Sequence, residues 1–300
     1  MLDFRVETFL AVCRHMNFTK AARELNITQP AVSHHIHYLE QAYGTALFQH
    51  NGKRLQLTEA GEILRRTLLT MKHDEQHLQK RMQQAASGTR DYSFGATLSV
   101  AEFMINEALG RFLQLHPDSH IQMQVADTKV LLSKLDSGEL DFAVVEGDFP
   151  KAEYDFFVFG TEEYVAAGDP EKAARYRGRR LTDLLVEPLL LREEGSGTRV
   201  ILEYYLKEHG LAAADFVRTV EIGNIGAIKT LLKSGYGVSF LYRAAIRPEE
   251  AAGTLGVIEL SDFRLRHDIM FLFPKNSNFR ADYTAIFREL RACAEETGGA

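Results

Sequence analysis

A polar face on one short helical segment is the strongest sign of chemistry in this chain. Val32, Ile36 and Leu39 follow helical spacing, so their apolar side chains point to one side of the segment. The opposite side then carries amide, hydroxyl and imidazole groups, which can hydrogen-bond to base edges in a DNA major groove. The residues expected there are Gln29, Ser33, His34 and His37.

A second short helical pattern precedes this segment and meets it at a tight turn. Residues 18–25 form the first helix of the pair, and residues 26–28 form the turn. Thr28 stands where an N-cap is wanted, and Pro30 falls in the first turn, where a missing N–H costs nothing. This layout predicts a helix-turn-helix. Backbone phosphate contacts are expected from Lys20, Thr28, Lys53 and Arg54, the last two beside a hairpin turn predicted at Asn51-Gly52.

Another group of polar residues follows the predicted strands of the C-terminal part. In open α/β sheets, ligands bind at the carboxyl ends of strands, where helix N-termini offer free N–H groups. The Gly-Ser-Gly-Thr run at 195–198 is the most suggestive segment, because flexible backbone and hydroxyls suit an anion. The residues expected to contact a small-molecule effector are Thr97, Ser99, Thr128, Glu146, Ser196, Gly197, Thr198 and Asn224.

Glu146 leaves the effector class open. It ends a predicted strand, and its carboxylate would repel an anion unless it is protonated or paired, with Arg199 and Lys229 as candidate partners. The same carboxylate could instead select an ammonium group. The sequence therefore allows both a small anion and an amino-acid-like effector.

The distribution of charge supports the predicted DNA contacts. The net charge is −6, which by itself argues against a nucleic-acid-binding protein. The first 90 residues, however, carry 12 Lys+Arg against 8 Asp+Glu, whereas the other 210 carry 23 against 33. The basic end is thus the end with the helix-turn-helix, as attraction to phosphate requires.

Residues 59–88 predict one long helix. Its apolar positions recur at alternating steps of three and four, near the coiled-coil period, and no glycine or proline interrupts it between Gly61 and Gly88. Packing on its own domain is the alternative, but polar flanks such as Lys72, Asp74 and Lys80 leave only a narrow seam. Pairing with a second copy is therefore expected. The seam is Ala60, Leu64, Thr67/Leu68, Met71, Glu75, Leu78 and Met82.

Residues 91–300 alternate strand and helix. This rhythm predicts a parallel sheet with helices on both faces. One helix is expected to run from the first strand to Leu115, a late strand at His267–Phe273, and a final amphipathic helix at Ala281–Glu295.

Several other classes of protein are not expected. No apolar run reaches the length of a membrane span, and the two cysteines, Cys13 and Cys293, suit a reducing cytoplasm. The common hydrolase, metalloprotease, redox and dinucleotide motifs are missing from the sequence. The histidines at 34, 35 and 37 lack Cys or carboxylate partners, so neither a metal site nor a cofactor is predicted.

One set of N-terminal residues forms a recognisable signature: Phe9, Val12, Phe18, Ala21-Ala22, Leu25, Gln29-Pro30-Ala31-Val32-Ser33, Ile36, Leu39-Glu40, Gly44, Leu47-Phe48 and Leu57-Thr58-Glu59-Ala60-Gly61. These residues resemble those of the LysR-type transcriptional regulators. Two segments, LDSGELDFAVVEG and IGAIKTLLKSGYGVSFL, are similar to landmarks of the family's effector domain. EEGSGTR resembles the branch concerned with sulfur and inorganic-carbon assimilation, whose effectors are small anions or phosphorylated metabolites. His34 and His50 stand where the family usually has arginine.

The resemblance implies a fold class: an N-terminal all-α winged helix-turn-helix with a long linker helix, then a C-terminal α/β effector domain of two Rossmann-like lobes, similar to periplasmic binding proteins. The expected boundaries are 1–58 for the DNA-binding domain, 59–88 for the linker and 91–300 for the effector domain. Within the effector domain, lobe I is about 91–158 and 267–300, and lobe II about 159–266.

It also implies a function, that of a ligand-responsive, sequence-specific DNA-binding regulator in the cytoplasm, and not an enzyme. The expected partners are double-stranded DNA with dyad symmetry, a small-molecule effector, and further copies in a homodimer or homotetramer, with RNA polymerase a candidate and no membrane. Two alternatives stay open: an effector-independent regulator, and a solute-binding protein with a DNA-binding arm.

Overall fold

The computed structural model describes residues 3–297. Its α-helices are α1 Phe4–His15, α2 Phe18–Glu24, α3 Gln29–Tyr43, α4 Glu59–Ser87, α5 Leu98–Phe103, α6 Asn106–Leu115, α7 Thr128–Ser137, α8 Pro170–Arg175, α9 Gly197–Glu208, α10 Ile225–Lys233, α11 Arg247–Ala251 and α12 Arg280–Thr297. Its strands are β1 Phe48–Asn51, β2 Arg54–Leu57, β3 Arg90–Ala96, β4 Ser119–Val125, β5 Phe142–Val145, β6 Tyr154–Gly168, β7 Pro188–Leu191, β8 Arg218–Glu221, β9 Val238–Tyr242, β10 Gly256–Ile258 and β11 Leu265–Pro274.

The N-terminal domain is three helices followed by a two-stranded hairpin. Ala21 and Ala22 of α2 are buried, and their small side chains let α3 cross closely. Val32, Ile36 and Leu39 of α3 are also buried, in a core completed by α1 and by the start of α4. The apolar side of α3 therefore packs inward, as its spacing predicts.

The hairpin turn lies one residue later than the sequence suggests. Asn51 pairs with Arg54, so the two turn residues are Gly52 and Lys53, and the expected turn at Asn51-Gly52 is wrong by one position. Gly52 has a φ of +62°, which glycine adopts without strain. The shift puts Lys53 at the tip of the hairpin and Arg54 at the start of β2.

One sheet runs through both lobes of the C-terminal part. Its strand order is β4-β3-β5-β11-β6-β9-β7-β8, with β10 paired to β6. The strands β3, β4 and β5 are parallel in one lobe, and β7, β8 and β9 are parallel in the other. The long strands β6 and β11 are antiparallel and connect the two lobes, with a register shift between Ile269 and Met270. The expected two-lobed fold class is confirmed.

Two expectations for this region are wrong in detail. The sheet is mixed and not purely parallel, because the chain leaves lobe I along β6 and returns along β11 in the opposite direction. The helix expected to run to Leu115 is broken into α5 and α6, with Met104 and Ile105 between them. Ile105, at the break, is fully buried, like apolar residues of α5 and α6. The apolar pattern of the sequence therefore continues through the break and resembles that of one helix.

The linker helix α4 has two different faces. Of its predicted apolar seam, Met71, Leu78 and Met82 are exposed in the single chain. Leu64 and Leu68, earlier in the seam, pack into the core of the N-terminal domain, so the expectation that they pair with a second copy is wrong. The other face packs on the effector domain through His73, Asp74 and His77, which are all buried. The expectation that polar flanks keep α4 off its own domain is therefore wrong. These polar side chains form hydrogen bonds with groups of the effector domain. The exposed part of the apolar seam stays available to a second copy.

Of these three residues, Asp74 forms the most hydrogen bonds with the effector domain. Its carboxylate accepts hydrogen bonds from the Ser277 hydroxyl and from the backbone N and side-chain Nδ2 of Asn278, the latter two at 2.9 and 2.8 Å. Burial alone would raise the pKa of Asp74, but the neighbouring His73 and the hydrogen bonds from Ser277 and Asn278 outweigh it and lower the pKa to about 2.

Two histidines and a lysine complete the contact. The His73 Nε2–H donates to the Leu140 carbonyl at 2.9 Å. His77 lies between two carboxylates, 3.3 Å from Asp141 Oδ1 and 3.4 Å from an oxygen of Asp282. Lys80 Nζ also donates to Asp141, at 3.0 Å. The linker is thus held to lobe I by charged hydrogen bonds, which have stricter geometry than apolar packing.

Both cysteines are free thiols, with Cys13 half-buried and Cys293 buried. No helix of the described residues is long and apolar enough to cross a membrane.

We expect Asp74→Asn to lower the free energy of unfolding by on the order of 2 kcal/mol at neutral pH, because a buried carboxylate with several donors loses its charge. In the wild type this stability is present above the unfolded pKa of 3.8 and is lost as the pH falls towards 2. Urea unfolding at several pH values measures it. Gln83→Ala, at an exposed position of the same helix, is the control. Equal stability of Asp74→Asn and the wild type would contradict the role given to this contact.

Candidate nucleic-acid interface and ligand cleft

The helix α3 presents the expected row of polar groups to solvent. Gln29, His34 and His37 are exposed, as is Pro30, and Ser33 is half-buried beside them. Thr28 caps the helix, because its Oγ1 accepts the N–H of Ala31 at 3.3 Å. The hydroxyl hydrogen of Thr28 remains free to donate outward.

Two local hydrogen bonds hold side chains of this row. Gln29 Nε2 donates to Ser33 Oγ at 2.9 Å, and Gln41 Nε2 lies 3.0 Å from His37 Nε2. His35, the neighbour of His34, is different, since its Nδ1 lies 2.9 Å from the Thr8 hydroxyl and packs it against α1. Of the three histidines on α3, His34 and His37 face outward and His35 is structural.

The cationic side chains expected at phosphate are unpaired. Lys20, Lys53 and Arg54 are exposed and form no ion pair with any residue in 3–297. They flank α3 from α2 on one side and from the hairpin tip on the other. Free positive charge on both sides of a polar helix is the arrangement that a major groove and its two phosphate ridges require.

The second candidate site lies where the two lobes meet. Thr97, Ser99 and Glu146 of lobe I are almost fully buried, and so are Ser196 and Thr198 of lobe II. The Thr97 hydroxyl donates to the Glu146 carboxyl. A Cβ added at Gly197 would lie 3.3 Å from Cγ and Oε1 of Glu146, so the carboxyl of lobe I lies against the first turn of α9 in lobe II. The structure brings six of the eight expected residues together.

The remaining two lie at the margin. The hydroxyl of Thr128 contacts Gly147, one residue from Glu146. Asn224 is exposed, and its side chain accepts the N–H of Ala227 at 2.9 Å, so it caps α10. Asn224 therefore has the ordinary capping role, and its oxygen is already used.

Glu146 has neither of the cationic partners considered for it. Arg199 pairs with Glu203 and Glu221, each at 2.7 Å, and Lys229 pairs with Glu249. That expectation is wrong. Burial raises the pKa of Glu146 to about 7, against lowering effects that include the positive charge of Arg192.

Arg192 is the residue that sequence reasoning missed. It is 5 % exposed, and its Nε and Nη2 donate to the two oxygens of Glu193, both at 2.7 Å. The pKa of Glu193 is lowered, chiefly by these hydrogen bonds. Its position was a usable signal, because Arg192 directly follows the buried strand β7. Of the two acidic residues, Glu193 is a carboxylate paired with Arg192, and Glu146 is a buried carboxyl that forms no ion pair among the described residues.

Among residues 3–297 there is no group of three His, Cys, Asp or Glu residues placed to hold a metal ion. The two sites offer hydrogen-bond donors and charge.

The chain matches two family models. Residues 5–62 match the model described as "Bacterial regulatory helix-turn-helix protein, lysR family", and residues 86–294 match "LysR substrate binding domain". A relative named "RuBisCO operon transcriptional regulator", from Acidithiobacillus ferrooxidans, is 28% identical over 306 residues, covering 97% of this chain and 94% of its own. The "HTH-type transcriptional regulator CysL" of Bacillus subtilis is 25% identical over 269 residues, covering 89% of each chain. These names agree with the expected branch.

Solved structures share the fold. Full-length LysG from Corynebacterium glutamicum, with bound effector Arg, superposes with a TM-score of 0.62 at 18% identity, covering 99% of both chains. The Synechocystis CcmR regulatory domain in complex with 2-PG superposes with a TM-score of 0.61 at 20% identity, covering 69% of this chain and 98% of its own.

Neutralising Glu146 should stabilise the protein at high pH. The folded-state pKa of Glu146 is raised from 4.5 to about 7, so the folded state holds a proton that the unfolded state has lost, and stability falls as the pH rises through that window. Glu146→Gln removes this loss. We expect it to unfold like the wild type near pH 4.5 and to be more stable by ~3 kcal/mol above pH 7.

Glu193→Gln is the matched control, because it neutralises a cleft carboxylate whose pKa is lowered. It should destabilise the protein where Glu146→Gln stabilises it. Denaturant unfolding of both variants across the pH range is the measurement, and the same sign for both would contradict this account.

Proposed function

Because the chain belongs to the LysR family of transcriptional regulators, we propose specific residues for its DNA contacts, its pairing and its effector site. The protein is a DNA-binding regulator with an effector-binding domain, and not an enzyme. We take the domain boundaries to be 1–58, 59–88 and 91–300, with the lobes divided in β6 near residue 158 and in β11 near residue 267. We place the protein in the cytoplasm, because a bacterial-type DNA-binding regulator acts where the DNA is.

The observation that carries the DNA proposal is the exposed polar row of α3 with unpaired cations on both sides. Gln29, Ser33 and His34 contact base edges, with His37 further along the same face. Thr28 and Lys20 bind phosphate at the start of α3, close to Pro30, and Lys53 and Arg54 bind it from the hairpin. A neutral imidazole at His34 can donate or accept, where an arginine only donates.

Pairing of two copies follows from the exposed seam of α4. Met71, Leu78 and Met82 lie on one side of a helix about 44 Å long and are exposed in the single chain. Two such helices side by side bury these residues and present two α3 helices to a dyad-symmetric site.

A homotetramer extends the same reasoning to the effector domains. The outermost strands of the sheet are β4 and β8. Val125, at the end of β4, and Val217, directly before β8, are both exposed. RNA polymerase is a candidate partner of the DNA-bound assembly.

The effector site is the cleft around Thr97, Ser99, Glu146, Ser196 and Thr198, with Gly197 in its wall and Thr128 and Asn224 at its margin. The solved structures with related folds support a small ligand, since one contains Arg and another 2-PG. The effector changes DNA binding only insofar as it binds one arrangement of the lobes better than another.

We expect Ser33→Ala and His34→Ala to weaken binding to the cognate site by about tenfold or more, and to weaken binding to unrelated DNA far less, because these side chains contact bases. Lys53→Ala should weaken binding to both and reduce the slope of log affinity against log salt by about one, because it removes one phosphate contact.

Fluorescence anisotropy with a promoter fragment and a shuffled fragment, over a salt series, separates these outcomes. His35→Ala, which removes a structural histidine from the same helix, controls for loss of folding and should show in a melting curve. Equal loss on both DNAs from Ser33→Ala would contradict the base contact.

Thermal unfolding with sulfite, sulfate, thiosulfate, phosphoenolpyruvate, cysteine and O-acetylserine tests the effector site. A true effector raises Tm increasingly with concentration, as mass action requires. Thr198→Ala should abolish the shift, because Thr198 lies in the cleft, whereas Thr230→Ala, at an exposed position of α10, should retain it. No shift with any compound would favour the effector-independent regulator.

A further inference from the structure

The closed cleft contains a buried hydroxyl without a partner. Ser99, in the first turn of α5, is 1 % exposed, and its Oγ has no hydrogen-bond partner among the described residues. A buried polar atom of this kind costs free energy unless a ligand or water satisfies it. Burial raises the pKa of Glu146, and the neighbouring Ser99 hydroxyl offsets part of that rise, yet the two groups do not meet in hydrogen-bond geometry. The donor of Ser99 therefore faces this cleft without a well-formed hydrogen bond.

The facing helix start lacks a side-chain cap. Ser196 occupies the N-cap position of α9, but its hydroxyl bonds to the hydroxyl of Thr198 at 2.8 Å and not to a backbone N–H. The helix α10, in contrast, is capped by Asn224. The twelve-residue α9 therefore keeps free N–H groups and its positive dipole end towards the cleft. The group that lies against that end is the Glu146 carboxyl.

The charges around Glu146 do not compensate a carboxylate. Arg192 is the nearby cation, but both of its hydrogen-bonding arms lie on Glu193. Asp127 adds negative charge from the start of α7, and the neutral hydroxyls of Thr97 and Tyr242 complete the surroundings. A second negative charge among these buried residues would face a strong like-charge repulsion.

The lining favours an anion over an ammonium group. The groups with donors to spare are the N–H groups at the start of α9 and the Ser99 hydroxyl. An oxyanion accepts from both, whereas an ammonium group could bind to the carboxyl groups of Glu146 and Asp127 but would leave these donors unsatisfied.

We propose that the start of α9 is an oxyanion site and that the Glu146 carboxyl lies in it. A small oxyanion then binds there only when Glu146 carries a proton. This inference rests on the proposed effector cleft and names its ligand class. The proton comes from solvent, so one proton is taken up for each anion bound whenever Glu146 is ionised beforehand. The carboxyl then becomes a donor to the anion in place of a repelling charge.

Sulfate is the probe, because it stays a dianion between about pH 6 and pH 8.5 and contributes no titration of its own. We expect the Kd of the wild type for sulfate to rise about tenfold for each pH unit above 7. Isothermal titration calorimetry in two buffers of different ionisation enthalpy should give an uptake approaching one proton. Sodium chloride at matched ionic strength controls for screening.

Glu146→Gln keeps the shape of the side chain and stays neutral. It should bind sulfate with a Kd that is independent of pH and with no proton uptake. Glu194→Gln, at an exposed position of the same loop, should retain the pH dependence, because both Glu146 and the Arg192–Glu193 pair are intact. Ser99→Ala should weaken sulfate binding without changing the number of protons. The calorimetric proton count on the wild type alone keeps the proposal testable should a variant fail to fold.

Three outcomes would overturn the proposal. A pH-independent Kd with no proton uptake in the wild type would show that protonation of Glu146 does not control binding. The proposed location of the effector site would be unaffected by this result. Sulfate binding by neither the wild type nor Glu146→Gln would remove the oxyanion class, while the DNA-binding measurements stand apart from it. Stabilisation by an amino acid that grows with pH and is lost in Glu146→Gln would make Glu146 the receptor of an ammonium group.

Discussion

Two antiparallel strands govern the geometry of the effector domain. The strands β6 and β11 pair with β5 in one lobe and with β9 in the other, so they are the chain's connection between the lobes. Any movement that opens the cleft must bend this pair, and its register shift at Ile269/Met270 is the place where the ladder is already interrupted. The hydroxyl of Tyr164, on β6, also donates to the Thr198 carbonyl at 2.8 Å, so a crossing strand directly supports the cleft wall.

The linker helix α4 ties that movement to the DNA-binding domain. It is continuous from Glu59 to Ser87, begins beside the hairpin, and is bound to lobe I through Asp74, His77 and Lys80. Lys72 of the same helix pairs with Glu7 of α1 at 2.8 Å. A rigid helix with charged contacts on both sides transmits a displacement better than a flexible linker, because such contacts hold only in a narrow geometry. Its apolar seam is left for a second copy.

The cleft is closed around a carboxyl that would be more stable neutral. Glu146 is held by Thr97 and lies against α9, while the nearest cation is committed to Glu193. Folding thus tolerates a costly group at the meeting point of the lobes, as binding sites often do. The same group links proton and ligand in one site.

The sequence by itself determined the local features. Spacing and caps predicted α3, the long helix α4 and the alternating C-terminal elements, and the polar residues of α3 were exposed as expected. These features follow from periodicity and from neighbours within a few residues. Only the tertiary structure decided which polar residues meet across the chain. It put Asp74 beside Ser277 and Asn278, paired Arg199 with Glu221, and left Glu146 without a cation. Such pairings join residues distant in sequence, and one sequence carries no local signal that selects among several charged candidates.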